Sequence, residues 1–257
     1  MDGNFRWGRQ RGGDWRRGHQ EGVQALRRVM SYCREDGVKA LTVYAFSTEN
    51  WGRSGEEVAF LLRLIEATLE RQLPELAAQG VRLAFAGERA GLPASLRRAI
   101  ERAEEATAAN SSLLLCVCLS YGGRQDITRA AQELCRQVVE GSLRPEQVTE
   151  ELLAAQLSTR AVRSAAGDPD LLIRTSGEQR LSNFLLWESA YTELHFTPAC
   201  WPDFDRHEWD AALEHYAARQ RRYGRRGGAA GGGTAAGTAG AGRLAQGRRA
   251  LAAGEPA

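Results

Sequence analysis

The chain has 257 residues, of which 43% are hydrophobic and 26% are charged, and its formal net charge is +2. These values predict one substantial globular domain, and the near-neutral charge gives no support for nucleic-acid binding. No apolar run reaches the length of a membrane span, and the arginine-rich start has no signal-peptide pattern. Five scattered cysteines without zinc-type spacing indicate reduced thiols, so we expect a cytoplasmic protein.

Strand-like and helix-like patterns alternate along the chain. Short apolar runs predict strands at residues 38–46, 81–86, 112–119 and 170–173. Apolar residues at helical spacing predict helices over residues 20–35, 55–78, 93–109, 124–140, 145–157 and 205–222. This alternation predicts a single α/β domain over residues 1–224, with a largely parallel central sheet flanked by helices. Residues 225–257 are mostly Gly, Ala and Arg, a composition that predicts a disordered tail.

Polar clusters follow the predicted strands, where ligands of open parallel sheets bind. They occupy residues 46–53, 120–126 and 174–183, and a further cluster opens the chain. In the last of the three, Arg174, Arg180 and Ser182 have the chemistry of a diphosphate pocket, since the planar guanidinium forms paired bonds to phosphate oxygens. Glu178 lies between the arginines and would orient them. The alternative is a solvated loop with internal salt bridges.

The opening cluster has the composition of a tight turn at Asp2, Gly3 and Asn4. Together with Arg6, the same residues are suited to an anion, because an aspartate facing phosphates can hold Mg²⁺ and turn N–H groups can cradle an anion. His19 precedes a helical pattern and lies near a helix N-terminus, and a purely structural histidine is the alternative.

The cluster after the first predicted strand supplies Ser47, Asn50 and Arg53 within reach of a common point, whereas Trp51 is more typical of packing. The P-loop and the glycine-rich dinucleotide motif are both absent, so nucleotide binding by those routes has no support. The residues by themselves predict an α/β protein with an arginine-built anion site and one or two carboxylates suited to Mg²⁺.

An ordered set of motifs spans residues 1–224: "MDGN-RW", "GH-EG", "LTVYAFSTENW-R", "VRL-F-G", "YGGR-DI", "DPDLLIRTSGEQRLSNFLLW", "AYTELHFT" and "WPDFD". In this order they resemble the cis-prenyltransferase family, specifically the undecaprenyl diphosphate synthase type. The resemblance implies Mg²⁺-dependent condensation of isopentenyl diphosphate onto an allylic diphosphate such as farnesyl diphosphate, giving a long polyprenyl diphosphate with a cis double bond at each addition.

The resemblance also implies roles for individual residues. Arg174, Arg180 and Ser182, supported by Glu178, hold the diphosphate of isopentenyl diphosphate. Asp2 serves Mg²⁺ and the departing allylic diphosphate, which the backbone at Gly3 and Asn4 cradles with Arg6. The remaining implied positions are Ser47, Asn50 and His19 around the reacting carbons, Trp7, Trp51 and Arg53 at the substrate, Glu193 as a second metal-associated carboxylate, and Arg222 and Gly224 completing the partner's site in a homodimer.

The family's apolar substrate tail occupies a tunnel between the sheet and the helices. The predicted helix at 55–78 has more large aliphatic residues than one buried stripe needs, which makes Val58, Leu61, Leu62 and Ile65 candidates for the tunnel wall. Ordinary core packing is the alternative for each of them. An apolar product implies transient peripheral contact with a membrane surface.

Four features depart from the family pattern. The family has a strand before its "MDGN" motif, where this chain starts; a fragment or an upstream start would explain this, and Asp2 is then expected at a frayed terminus. Phe5 replaces a glycine, Trp15 replaces an arginine, and Ser120 replaces an asparagine. Two of these changes weaken the allylic side, so the alternative function is a non-catalytic or weakened subunit of a heteromeric cis-prenyltransferase.

Overall fold

Eight α-helices and five β-strands alternate along residues 1–219, the part of the chain that the computed structural model describes. The helices are α1 (Asn4–Gln10), α2 (Trp15–Glu35), α3 (Gly55–Ala78), α4 (Ala94–Ala106), α5 (Gly123–Val139), α6 (Glu150–Gln156), α7 (Arg160–Ala166) and α8 (Arg206–Ala217). The strands are β1 (Ala40–Ser47), β2 (Val81–Ala86), β3 (Leu113–Tyr121), β4 (Leu171–Arg174) and β5 (Glu193–Phe196). The predicted tail, Arg222 and Gly224 lie outside the described residues.

All strand pairs are parallel, and helices flank them, which confirms the predicted fold class. The first three strands form one sheet in the order β1-β3-β2, and β4 pairs with β5 in a second sheet. Within residues 1–219 the strands therefore form two parallel sheets, where the sequence predicts one. The carboxyl ends of β1, β3 and β4 all lead into the polar clusters that the sequence singles out.

The central strand β3 has apolar side chains on both faces, so both faces of the first sheet must be covered. Eight of its nine residues are buried, and the run contains no charged side chain. Cys116 and Cys118 are buried free thiols within it. Helices α2, α3 and α4 cover one face, and their apolar residues join those of the strands in the main core.

Helix α3 has the bounds that the sequence predicts, because a capping residue precedes a long aliphatic pattern. The Ser54 hydroxyl accepts a hydrogen bond from the Glu57 N–H at 3.3 Å. The predicted helix at 145–157 is wrong in its bounds: residues Pro145–Gln147 form a 3₁₀ turn, and α6 begins after the Thr149 cap. Helices α1 and α7 and strand β5 were not predicted, since each has only four to seven residues. No helix within residues 1–219 is long and apolar enough to cross a membrane.

Helix α1 packs closely on α2 because glycines remove side chains from the contact. A Cβ atom built on Gly18 falls well inside van der Waals distance of the Asn4 carbonyl oxygen, and one on Gly22 meets the Asn4 side chain at 2.6 Å. Gly8 faces the backbone of Asp14 and Trp15 in the same way. These close contacts at the three glycines fix the position of α1 against α2.

Gly18→Ala is expected to destabilise the protein by about 1–3 kcal/mol, because the added methyl group forces α1 away from α2. Urea denaturation followed by circular dichroism measures the change. Gly55→Ala is the matched control: a Cβ there has no neighbour within 4 Å, and its helical position favours alanine. Equal stability of the two variants would contradict the close packing.

Candidate active site

The first residues of the chain are fixed by contacts with distant segments. The Asp2 N–H donates to Oγ1 of Thr175 at 2.9 Å, and the same hydroxyl donates back to the Asp2 carbonyl oxygen at 2.9 Å. The Trp201 N–H donates to that carbonyl at 2.9 Å. Burial lowers the pKa of the Met1 amino group to about 6. The expected frayed terminus is therefore wrong, because side-chain and backbone groups from the end of the domain hold Asp2 in place.

The Asp2 carboxylate forms an ion pair with Arg174 at the carboxyl end of β4. Its Oδ2 atom lies 3.0 Å from Nη2 of Arg174, and its Oδ1 accepts from the Gly3 N–H at 2.9 Å. Burial by itself would raise the pKa of Asp2, but the Arg174 hydrogen bond, the terminal amine and the Gly3 N–H together lower it. The carboxylate is thus ionised at neutral pH. It remains 43% exposed, whereas the Arg174 side chain is only 12% exposed.

Arg174 also organises the loop that follows it. Its Nη1 atom donates to Oγ of Ser182 at 2.8 Å and to the carbonyl oxygen of Arg180. One guanidinium therefore contacts both the N-terminal segment and the arginine loop. The three residues that the sequence assigns to one diphosphate, Arg174, Arg180 and Ser182, are neighbours in the structure.

Glu178 holds two arginines of the site. It pairs with Arg180, and its Oε1 lies 3.6 Å from Nη2 of Arg6. Arg6 also donates to the Ser176 carbonyl oxygen at 3.1 Å. Glu178 thus has the expected orienting position, but its second partner is Arg6 and not Arg174. The internal salt bridges of the alternative interpretation are present, and they surround a cluster of three arginines beside Asp2.

Asn183 connects all three polar loops and was not assigned a role from the sequence. Its carbonyl oxygen accepts from the Gly123 N–H at 2.7 Å, and its side-chain oxygen accepts from the Arg124 N–H at 2.8 Å. Its amide nitrogen donates to Glu49 at 2.9 Å and to Gln125 at 3.0 Å. No local pattern marks such a residue, because its partners lie 58 to 134 positions away.

Backbone strain is concentrated in two of these loops. Among residues 1–219, the non-glycine residues with positive φ are Ser120 (50°), Ser176 (77°), Ser182 (49°), Asn183 (65°) and Leu185 (45°). Ser120 is the penultimate residue of β3, and the other four follow β4. Such conformations cost free energy and persist where surrounding contacts impose them, which is common at functional sites.

The loop after β1 contributes Ser47, Asn50 and Trp51. The Asn50 side chain accepts from the Ser47 N–H at 3.0 Å, so the two residues cap the short 3₁₀ helix Thr48–Gly52. Trp51 packs edge-on against Phe46 and donates to Oγ of Ser120 at 2.9 Å, which agrees with a packing role. Arg53 pairs with Glu57 at 2.6 Å at the start of α3.

His19 is a half-buried, neutral imidazole without a partner on one nitrogen. Burial, with the positive charge of Arg53 as a second cause, lowers the pKa of His19 to about 4. Its Nε2 atom is buried and has no hydrogen-bond partner. The edge of the ring faces Trp15, with ring centroids 5.9 Å apart. This unsatisfied atom is what a substrate-facing histidine would show.

Helix α1 begins beside Asp2. Gly3 has φ 96° at its N-cap, and a Cβ there would contact Sγ of Cys200 at 2.9 Å, so only glycine fits without strain. Trp7 is buried, with 8% exposure, and its role at the substrate stays a prediction. The Asn4 side-chain oxygen is buried without a partner.

The two carboxylates predicted to bind metal are not brought together within the chain. Glu193 pairs with Leu171 at the start of β4, whereas Asp2 contacts the end of that strand, about 10 Å further along. Within residues 1–219 no group of three or more His, Cys, Asp or Glu side chains is arranged to hold a metal ion. A single exposed carboxylate beside arginines does fit Mg²⁺ carried by a diphosphate, because Mg²⁺ commonly takes one or two carboxylates plus phosphate oxygens.

All four predicted tunnel residues belong to the main core, Leu61 and Leu62 as buried members and Val58 and Ile65 packed against them. Val58 and Leu62 also line an open cavity of about 440 Å³ together with Trp51 and Arg53. The cavity begins next to the loop that carries Asn50, and the continuous tunnel stays a prediction.

Comparison with known proteins assigns this architecture to one class of enzyme. A family model described as "Putative undecaprenyl diphosphate synthase" matches residues 1–224. An isoprenyl transferase of Agrobacterium fabrum is 46% identical over 87% of the chain and 89% of its own length. A (2E,6E)-farnesyl-diphosphate-specific ditrans,polycis-undecaprenyl-diphosphate synthase of Xanthomonas axonopodis is 48% identical over 87% of the chain and 86% of its own.

Solved structures agree. Lavandulyl diphosphate synthase from Lavandula x intermedia, in complex with dimethylallyl diphosphate, has a TM-score of 0.84 at 38% identity, covering 88% of this chain and 95% of that one. A probable undecaprenyl diphosphate synthase from Campylobacter jejuni has a TM-score of 0.69 at 31% identity, covering 80% and 93%. Fold and site together define a prenyl-transferring enzyme of the cis-prenyltransferase class. The chain belongs to the undecaprenyl diphosphate synthase family.

The pH dependence of stability tests the state of His19. The unfolded imidazole takes up a proton near pH 6.5 and the folded one near pH 4, so stability falls as pH drops through that interval. The free energy of unfolding falls by up to roughly 3 kcal/mol by pH 4. Above pH 7 the imidazole is neutral in both states, so stability there is not reduced. His19→Gln lacks this component. Urea denaturation of both proteins between pH 4 and 7.5 measures the difference, and parallel curves would contradict a half-buried neutral histidine.

Proposed function

We propose that this enzyme catalyses Mg²⁺-dependent cis-prenyl chain elongation. It condenses isopentenyl diphosphate onto an allylic diphosphate such as farnesyl diphosphate and repeats the addition to give a long polyprenyl diphosphate. The observation that carries the proposal is the contact between Asp2 and Arg174, which joins an acidic, metal-competent segment to an arginine loop. The farnesyl-diphosphate-specific name of the Xanthomonas relative supports this choice of primer.

The arginine loop binds isopentenyl diphosphate. Arg174, Arg180 and Ser182 are adjacent and offer charge-assisted donors to the diphosphate oxygens. Arg180 is 63% exposed and pairs only with Glu178 among the described side chains, so it is free to turn toward a ligand. Glu178 keeps the guanidinium extended over the site before substrate arrives.

The N-terminal segment binds the diphosphate of the allylic substrate. The backbone at Gly3 and Asn4 and the side chain of Arg6 provide donors, and Asp2 holds Mg²⁺. When bound, Mg²⁺ neutralises charge on the diphosphate as that group leaves. Arg174 lies between the two half-sites and fixes their separation through its hydrogen bonds to Asp2 and Ser182.

The reaction forms one carbon–carbon bond, breaks the allylic carbon–oxygen bond to the departing diphosphate, and releases one proton from the isopentenyl unit. Ser47, Asn50 and His19 surround the reacting carbons and assist the proton loss. The unpaired Nε2 atom of His19 is available for a hydrogen bond, although its low pKa makes it a weak base. Val58 and Leu62 begin the apolar path for the growing chain.

We propose that the enzyme acts as a cytoplasmic homodimer. Arg222 and Gly224, outside the described residues, would complete the isopentenyl site of the partner subunit. The polyprenyl product is apolar, so its release involves transient contact with a membrane surface.

Turnover with farnesyl diphosphate, isopentenyl diphosphate and Mg²⁺ tests the proposal. The expected result is a ladder of polyprenyl diphosphates, sized by mass spectrometry of the extracted lipids, that disappears with EDTA. Absence of product from a protein that still binds isopentenyl diphosphate would overturn the catalytic proposal and favour the non-catalytic subunit of a heteromeric enzyme.

Arg180→Ala is expected to raise KM for isopentenyl diphosphate by about tenfold to a hundredfold, because one charge-assisted contact is lost. The KM for the allylic substrate should remain unchanged. Arg174→Ala should raise both constants, because Arg174 contacts both half-sites. Arg163→Ala is the control: Arg163 forms a comparable ion pair with Asp168 at 3.0 Å on α7. Equal effects of Arg180→Ala on both substrates would contradict the assignment.

A further inference from the structure

Three aromatic rings form one stack that joins α1, α2 and α3. Phe5 lies parallel to Trp15, with ring centroids 6.0 Å apart and planes inclined by 19°. Phe60 of α3 meets Trp15 edge-on, with ring centroids 5.0 Å apart. The sequence marks Phe5 and Trp15 as two separate departures from the family pattern. In the structure they are a single unit, because each ring packs on the other.

Two rings of the stack adjoin residues assigned to the allylic substrate. Phe5 is the second residue of α1, directly between Asn4 and Arg6. Trp15 contacts His19 one helical turn further along α2. The Phe5 ring is 43% exposed, which makes it one of the few large apolar side chains on the surface of residues 1–219. An exposed ring beside an anion site is suited to a ligand that is itself charged at one end and apolar at the other.

The nearest cation is held by carboxylates. Arg16 lies over the Trp15 ring at 4.8 Å, pairs with Glu56, and has Asp14 at 3.7 Å. Its charge is therefore compensated by Glu56 and Asp14, and the guanidinium groups beside Asp2 are those of Arg6 and Arg174, which pair with Glu178 and Asp2. The position of Trp15 accordingly adds apolar surface to the site and no charge.

We propose that Phe5, Trp15 and Phe60 form an aromatic wall that binds the isoprenyl hydrocarbon next to the diphosphate of the allylic substrate, and so act as specificity-determining residues. This inference rests on the proposed function. At position 15 the ring of Trp15 contacts the hydrocarbon of the primer. A cation at that position would contact only the phosphate groups. Hydrocarbon and pyrophosphate binding are then separable, and a change at Trp15 affects them in opposite directions.

The test compares two probes on Trp15→Arg by isothermal titration with Mg²⁺ present. Binding of farnesyl thiolodiphosphate, which does not react, is expected to weaken about tenfold as ring contact is lost. Binding of inorganic pyrophosphate is expected to tighten about threefold to tenfold as a donor is gained. Damage to the fold would weaken both probes, so the opposite signs separate recognition from a structural effect.

Two further variants and a control complete the experiment. Phe5→Ala and Phe60→Leu should each weaken the farnesyl probe and leave pyrophosphate binding unchanged, which keeps the inference testable if Trp15→Arg does not fold. Gln24→Arg is the matched control, because Gln24 is exposed on α2 half a turn around the helix from Trp15. It adds the same charge to the same helix without touching the stack, and neither probe should change.

Parallel weakening of both probes in Trp15→Arg, or unchanged farnesyl binding in Phe5→Ala and Phe60→Leu, would overturn the aromatic wall. Failure of the proposed function gives a different result, in which the unmodified protein binds neither probe.

Discussion

The ion pair between Asp2 and Arg174 is the contact on which the site depends. It joins the first residues of the chain to the end of β4, and the adjacent Thr175 hydroxyl clamps the Asp2 backbone on both sides. Because α1 starts at Asn4 and packs on α2 through glycines, this anchor also fixes the aromatic and histidine side chains of α2. One guanidinium thereby holds together the two segments that we propose to bind diphosphates.

Charge compensation explains how several arginines share so small a volume before a ligand binds. Glu178 contacts Arg180 and Arg6, while Asp2 contacts Arg174. Each guanidinium therefore has a carboxylate partner and remains extended, so the proposed binding of diphosphate oxygens in place of those partners needs little reorganisation. The strained backbone of the loop after β4 belongs to the same arrangement, since it directs these side chains toward one region.

The sequence predicts the long elements and the position of the polar loops, and physical reasons explain what it misses. The aliphatic pattern and Ser54 cap define α3, and a parallel sheet places the loops after β1 and β3 at one edge. The loop after β4 belongs to the second sheet and joins them through Asn183. The support of Asp2 is not predictable, because its partners are 173 and 199 positions away. The stacking of Phe5 on Trp15 likewise cannot be predicted from the hydrophobic pattern. In the sequence they are two separate departures from the family pattern, and only the structure shows that their rings are in contact.

The wide sequence separation of the contacts around Asp2 has a consequence for biosynthesis. Thr175, Arg174 and Trp201 follow Asp2 by 172 to 199 positions, so they are translated only after most of the domain. Contacts between residues so far apart in sequence form late in folding. Closing so long a loop is entropically costly until the intervening elements are in place. The proposed diphosphate sites are therefore assembled only when the domain is essentially complete.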